Sequence, residues 1–211
     1  MKLQKRDCPI KISLLPTGAQ YLGINFDFYG EKFSFNPSSV MGGQFGDLLS
    51  ALYSLYLYHD NDDGHAEWIR RKSHTYDNSN EIYAITATVD WDNEGQVMTL
   101  DITRSYTAGV DNDIVVRITT DYGETYRIFH MNGRDLCYAV AKACTDALKS
   151  YGFYGYRYST EWDTFATHQL LFIKSYALDY TESRKLIETD SDSLCLRTDF
   201  EKEIELLLFD M

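Results

Sequence analysis

The middle of the chain, between residues 82 and 130, alternates apolar and polar residues in four runs that are separated by short turn-forming segments. Such alternation predicts β-strands with one buried face, and short turns between consecutive runs predict antiparallel neighbours. The alternating positions are Tyr83, Ile85, Ala87, Val89 and Trp91, then Met98, Leu100 and Ile102, then Ile114, Val116 and Ile118, and finally Tyr126, Ile128 and His130. We therefore expect an antiparallel β-meander sheet.

Helical patterns on both sides of these strands complete the predicted fold. Apolar residues recur at helical spacing over residues 45–56, over about 133–150 and again over 165–178. Residues 24–35 alternate around a Tyr-Gly turn, which predicts a β-hairpin before the first helix. The strands each have a polar face, which fits an antiparallel sheet covered on one face better than a parallel sheet buried on both faces. The fold class that follows is α+β, with the helices packed on one face of the antiparallel sheet.

The expected organisation of the chain is one domain followed by an acidic segment. Residues 1–178 form a single α+β domain, and residues 179–211 form an acidic C-terminal segment that is either packed or partly mobile. Within the domain, hairpin-then-helix units near residues 22–58 and 114–150 resemble each other. They are consistent with a duplication, and equally with the same turn chemistry used twice.

The charge of the chain restricts its partners. Lys and Arg number 20 against 32 Asp and Glu, so the net charge is −12. An anionic surface repels phosphate backbones, which argues against nucleic acid and favours a basic protein partner. Residues 179–211 carry ten acids and four bases, so half of the net charge lies in about a sixth of the chain. This concentration is typical of a solvated acidic tail or helix face, and a docking surface for a cationic partner is the alternative.

Acids and tyrosines are the candidate partner-binding residues. The chain has 17 tyrosines, and tyrosine is enriched in protein interfaces. Packing in the core and at its rim is the alternative for these aromatics. The candidates are Asp60, Asp62, Asp63, Asp190, Asp192, Tyr154, Tyr156 and Tyr158.

Signs of catalysis are weak, and we expect no cofactor. The chain has no nucleophile elbow, phosphate-binding loop, HExxH or GxGxxG motif. His59, His65 and Glu67 lie in a ligand-rich loop that could bind a transition metal, although the loop does not fit a calcium-binding register. A solvated loop is the alternative. His130, close to Asp135, is a candidate general base or a capping residue.

Cysteines and hydropathy predict the compartment. Cys137 and Cys144 fall seven residues apart in the second helical pattern, where they read as small buried apolar residues rather than nucleophiles. No apolar stretch reaches the length of a membrane span, and the first residues do not read as a signal peptide. We therefore expect a cytoplasmic protein with no membrane contact.

The order of short motifs adds a family resemblance. The segment at residues 46–51 reads GDLLSA, the segment at 91–95 reads WDNEG, and Trp162 lies in a Gly- and Tyr-rich region before the last predicted helix. This order resembles a loose set of small acidic bacterial proteins, some of which look like the immunity proteins that neutralise polymorphic toxins. The resemblance covers about residues 22–178. It implies an α+β fold in the bacterial cytoplasm and assigns no catalytic residue.

Three functional hypotheses follow from these patterns. The first is a non-enzymatic protein-binding domain, in its most specific form an immunity protein that neutralises a basic toxin through an acidic, tyrosine-rich surface. The alternative is a small-ligand- or metal-binding domain, with or without enzymatic activity, that uses the loop at 59–67 or His130. The third is a homodimer completed by the apolar residues at 204–209.

Overall fold

The computed structural model describes residues 2–18, 21–36, 45–57, 83–92, 95–106, 113–120, 125–160, 166–181 and 198–211. Within these ranges the strands are β1 (Ile10–Gly18), β2 (Tyr21–Phe28), β3 (Glu31–Phe35), β4 (Tyr83–Asp92), β5 (Val97–Tyr106), β6 (Asp113–Thr120) and β7 (Thr125–Asn132). The helices are α1 (Phe45–Leu57), α2 (Gly133–Thr160), α3 (Thr167–Ala177) and α4 (Phe200–Leu208).

The predicted meander forms a four-stranded antiparallel sheet in the order β4-β5-β6-β7. On its inner face the side chains of Val89, Trp91, Ile102 and Val116 are buried, and α1 packs beside β4. The outer face of the same strands is largely polar and more exposed. The structure thus confirms the α+β class and the meander with helices on one face.

The predicted hairpin belongs to a second, three-stranded antiparallel sheet in the order β1-β2-β3. Its turn places Tyr29 and Gly30 at φ 55° and 92°, the left-handed conformations that a tight hairpin turn requires. The backbone N–H of Gly30 donates to Asp27 Oδ1 at 2.9 Å, which fixes this turn. The two hairpins of the proposed duplication therefore lie in different sheets, and the duplication itself stays a prediction.

The first strand is absent from our sequence-based expectation. Ile10, Ile12 and Leu14 are buried and alternate with exposed Lys11 and Ser13, so β1 has the same pattern that identified the meander. Because β1 pairs with β2 along its length and packs against α2, it joins the second sheet to the helices.

Aromatic side chains join the two sheets in one core. Phe26 stacks on Phe33 with ring centroids 4.6 Å apart, and Phe28 meets Phe129 edge-on at 5.0 Å. Phe26 also lies 6.0 Å from Trp91, which is fully buried. Such pairs contribute about 0.5–1.5 kcal/mol each beyond the area that they bury.

The last strand presents a different face from the one that its alternation suggested. Phe129 and Met131 are buried, whereas Tyr126 and Ile128 are about half exposed (48% and 51%). The reason is the pairing of Phe129 with inward-facing Val116, after a register irregularity between Ile118 and Thr119. Cross-strand register, which the sequence does not display, decides which of two apolar sets is buried.

The helices follow their predicted patterns with one extension. A backbone break at Gly152 (φ 65°, ψ 172°) marks the expected end near residue 150, but helical structure resumes and continues to Thr160. Cys137 and Cys144 on α2 are completely buried, as predicted, and burial raises the pKa of both thiols far above its usual value. No helix in the described ranges is both long and apolar enough to cross a membrane.

Candidate partner-binding surface

Most residues singled out from the sequence lie outside the described part of the chain. These are His59, Asp60, Asp62, Asp63, His65, Glu67, Asp190 and Asp192. Tyr154, Tyr156 and Tyr158 lie on the backbone of α2 after Gly152, and their side chains also fall outside the description. Their suggested roles in partner or metal binding therefore stay predictions.

His130 lies on the outer face of β7, exposed and opposite Val115 of β6. The carboxylate considered as its companion, Asp135, is largely buried and forms an ion pair with Arg6 instead. Across the ranges that the structure describes, no three His, Cys, Asp or Glu side chains come together as a metal site. Asp135 is thus engaged by Arg6, and a role of His130 as a general base stays a prediction.

The C-terminal helix α4 begins at a well-formed cap. The Asp199 carboxylate accepts hydrogen bonds from the backbone N–H groups of Glu201 and Lys202, at 3.0 and 3.2 Å. Such a cap satisfies N–H groups that have no partner inside a helix, and acids in the first turn, here Glu201 and Glu203, complement the helix dipole. The acidic composition of this segment therefore favours the helix itself.

A buried lysine fixes the other end of α4. The Lys174 side chain on α3 is completely buried, and its ammonium donates to the carbonyl oxygens of Leu207 (3.2 Å) and Phe209 (2.6 Å) and to Thr145 Oγ1 on α2 (3.2 Å). The last carbonyls of a helix lack partners within it and carry partial negative charge. One cation therefore joins α2, α3 and the end of α4.

Burial changes the pKa of Lys174. Loss of solvation, together with the nearby Lys149 ammonium, lowers the pKa of Lys174 from 10.5 to about 8. The side chain is still protonated at neutral pH, where its charge suits the three acceptor oxygens.

Further contacts hold the residues around α4 against the domain. Leu206 is completely buried, and Met211 is nearly so. Asp210 lies between Lys5 (2.8 Å) and Lys149 (2.5 Å), and both hydrogen bonds hold the pKa of this carboxyl well below its usual value. Residues 198–211 thus contact the rest of the described structure, and the division of the chain at residue 178 stays a prediction.

The opposite side of α4 presents an apolar stripe to solvent. Phe200, Ile204 and Leu208 are exposed by 71%, 38% and 70% and follow one another at intervals of four residues. Residues at this spacing share one face of a helix. We call this set the α4 stripe. On this helix Leu206 thus faces the core, whereas Leu208 faces solvent.

Carboxylates border the α4 stripe. Glu201 and Glu205 are exposed and lie on one side of it by helical geometry, and we call this pair the acidic flank. Glu205 is held in place by the Tyr180 hydroxyl and the Lys202 ammonium, each at 3.0 Å. From Asp199 to Glu205 there are four acids and one base. The sequence analysis does not include Phe200 among the candidate partner-binding residues, although its interval of four residues from Ile204 would have placed both on one helix face.

Comparison with protein-family models, curated proteins and solved structures found no match to this chain. The resemblance to toxin immunity proteins accordingly stays a prediction.

Proposed function

We propose that this chain is a non-enzymatic protein-binding domain that binds a basic partner on the α4 stripe and its acidic flank. The observation that carries the proposal is the exposure of Phe200 and Leu208, about 70% each, on a helix whose other face is held by Leu206 and Lys174. Single exposed apolar residues are common, but a helical row of three beside carboxylates has the form of a docking face.

Apolar burial would supply much of the affinity. Burying an exposed Phe, Ile or Leu side chain contributes roughly 1.5–3 kcal/mol. Phe200 and Leu208 have most of their surface still to bury, whereas Ile204 is already more than half covered. The two ends of the stripe are therefore the expected hot spots. Truncation of both side chains should weaken binding by about 3 kcal/mol, which is roughly a hundredfold in Kd.

Charge supports a basic rather than an acidic or neutral partner. The net charge of −12 raises the rate of encounter with cations, and the acidic flank places two carboxylates where the partner's cations can meet them. Two copies of α4 laid together would bring their own glutamates close. The same charge pattern therefore disfavours a homodimer through the C-terminal residues.

The resemblance to immunity proteins supplies a finer form of this proposal, in which the basic partner is a toxin. A domain of this kind would act by covering the toxin's working surface, without any catalytic residue of its own. The identity of the captured protein decides between this form and a partner of another kind.

Capture with matched variants tests the proposal. Immobilised wild-type protein, Phe200→Ser/Leu208→Ser and the control Ile128→Ser are incubated with native lysate of the source cells at low and moderate salt. Ile128 is also exposed by about half, but lies on β7, away from α4. The proposal expects a basic protein that binds wild type and the control and is lost from the double variant. Equal binding to all three, or no bound protein, contradicts it.

A further inference from the structure

The strand β4 is one edge of the meander sheet, since its only sheet neighbour in the described residues is β5. The two strands pair without a register break from Tyr83 opposite Tyr106 to Asp92 opposite Val97. An edge strand of ten residues presents a long row of backbone N–H and C=O groups that another strand can pair with. Native proteins usually protect such edges.

The edges of the three-stranded sheet carry protective features. β1 contains Pro16, a register irregularity beyond it and the exposed Lys11, and it packs against α2. β3 has only five residues and includes the exposed Lys32. Proline, lysine, short length and irregular pairing are all features that blunt an edge.

The far edge of the meander, β7, is also protected. Its pairing with β6 is irregular between Ile118 and Thr119, and its end is tied to β3 by the ion pair of Arg127 with Glu31 at 3.1 Å. Phe129 packs on Phe33 of β3, with ring centroids 6.0 Å apart. This edge therefore meets the other sheet of the same molecule.

β4 has no proline, lysine, short length or irregular pairing, although α1 packs beside it as α2 packs beside β1. Its sequence contains no Pro, Lys, Arg or Gly, and its outward side chains Thr86, Thr88 and Asp90 are exposed. The only charges are Asp90 and Asp92, near one end. Asp90 accepts a hydrogen bond from Thr99 at 2.5 Å and Thr88 donates to Asp101 at 2.7 Å, so the strand is well ordered on its sheet.

We propose that β4 is a dimerisation edge, at which a second copy of this chain adds its own β4 antiparallel and extends the meander into an eight-stranded sheet. A two-fold axis at the edge makes the interface self-complementary. In a register centred on Thr88, the inward-facing side chains of one copy lie opposite the inward-facing side chains of the other. This register also places Asp90 of each copy opposite Thr86 of the other. A register centred on Asp90 would oppose two carboxylates directly and is disfavoured.

The occupant is a second copy rather than a basic partner, because the side chains along this edge are compatible with an antiparallel copy of the same strand. Threonines form the centre of the exposed row, and the acids near one end lie away from the acids of an antiparallel copy. Backbone pairing does not require an opposite charge. The surface is separate from α4, so this proposal stands independently of the proposed function.

Sedimentation of the purified full chain tests the dimer. The proposal expects a concentration-dependent species with twice the mass of the chain. The dimer should tighten as NaCl is raised, because salt screens the repulsion between two chains of −12 each. A monomer at every concentration, at both low and high salt, overturns the proposal.

Cysteine substitution tests the register without breaking the fold. Directly opposed residues in an antiparallel pair lie within disulfide range, so Thr88→Cys should give a covalent dimer on mild oxidation. Thr86→Cys on the same strand and Thr103→Cys on the neighbouring β5 should stay monomeric, as should the wild type with its native thiols. A covalent dimer from Leu208→Cys but not from Thr88→Cys would place the interface on α4 and contradict the proposal.

Discussion

Replacement of Lys174 by methionine should remove a pH dependence of stability that this one buried side chain creates. In the folded protein the pKa of Lys174 is about 8, whereas a solvated lysine has 10.5. Between these two pH values the unfolded chain binds more protons than the folded chain. The free energy of unfolding of the wild type therefore gains a contribution that rises with pH over this window.

The pKa difference sets the size of that contribution. A fall from 10.5 to about 8 corresponds to about 3 kcal/mol, since one pH unit is worth about 1.4 kcal/mol. Below pH 8 the full cost of burying the charge is present, and above pH 10.5 it has disappeared. Lys174→Met carries no charge in either state and should lack this rise.

Other groups titrate in the same range with the opposite sign. Burial raises the pKa of Cys137 and Cys144, and it raises the pKa of Tyr176 to about 12. Their contributions to stability are complete below the pKa values of the unfolded chain and are lost as the pH rises. Both proteins share the contributions of Cys137 and Tyr176. Loss of the Lys174 charge raises the pKa of Cys144 further, which is a smaller effect than burial of this thiol, so the difference between wild type and Lys174→Met mainly reports the lysine.

Urea unfolding at several pH values from 7 to above 10 measures this difference, with Lys142→Met as the matched control. Lys142 lies on α2, is 42% exposed and pairs with Asp146. The control should follow the wild-type profile through the whole window. If the wild type and Lys174→Met instead keep a constant difference from pH 8 to pH 10.5, the lysine does not titrate as a buried group, and the cost assigned to burying its charge is refuted.

Three further predictions concern α4 and can be checked by thermal or urea unfolding. Leu206→Ala should lower the free energy of unfolding by about 2–5 kcal/mol because the side chain is fully buried. Leu208→Ala on the exposed side should change it by less than about 0.5 kcal/mol. Equal losses for the two variants would contradict the assigned orientation of the helix. Asp199→Ala should cost about 1 kcal/mol through the lost cap, and Asp199→Asn should recover most of it. Asp210→Asn should lower the melting temperature at low salt and neutral pH. The gap between the melting temperatures of wild type and variant should shrink at high salt, which screens the ion pairs. It should also shrink below the usual pKa of an aspartate, because the lowered pKa of Asp210 contributes to stability only while the carboxylate is charged.

The sheets show how far alternation alone can predict this fold. The meander and the β2–β3 hairpin were predictable because polar and apolar residues alternate without interruption. β1 has the same alternation in Ile10, Ile12 and Leu14 and is predictable on the same ground. For β7 the alternation was ambiguous, since Ile128 and Phe129 are both apolar and only the pairing with β6 decides which one is buried.

The candidate site was less predictable, for physical reasons. α4 is apolar on two sides, so periodicity could not show that Leu206 faces the core and that Leu208 faces solvent. Lys174 lies within an apolar helix, and two of its acceptors are backbone carbonyls more than 30 residues away in the chain. Contacts of this kind depend on tertiary packing, which no local pattern encodes.

The central claim, that Phe200 and Leu208 anchor a basic partner, is tested most directly by calorimetric titration of the captured protein into purified variants. Phe200→Ser/Leu208→Ser should weaken binding roughly a hundredfold while Ile128→Ser binds like the wild type. Added salt should weaken the wild-type complex as well, because the acidic flank contributes to it. A partner that binds all three proteins with the same Kd would contradict the assignment of α4 as the binding surface.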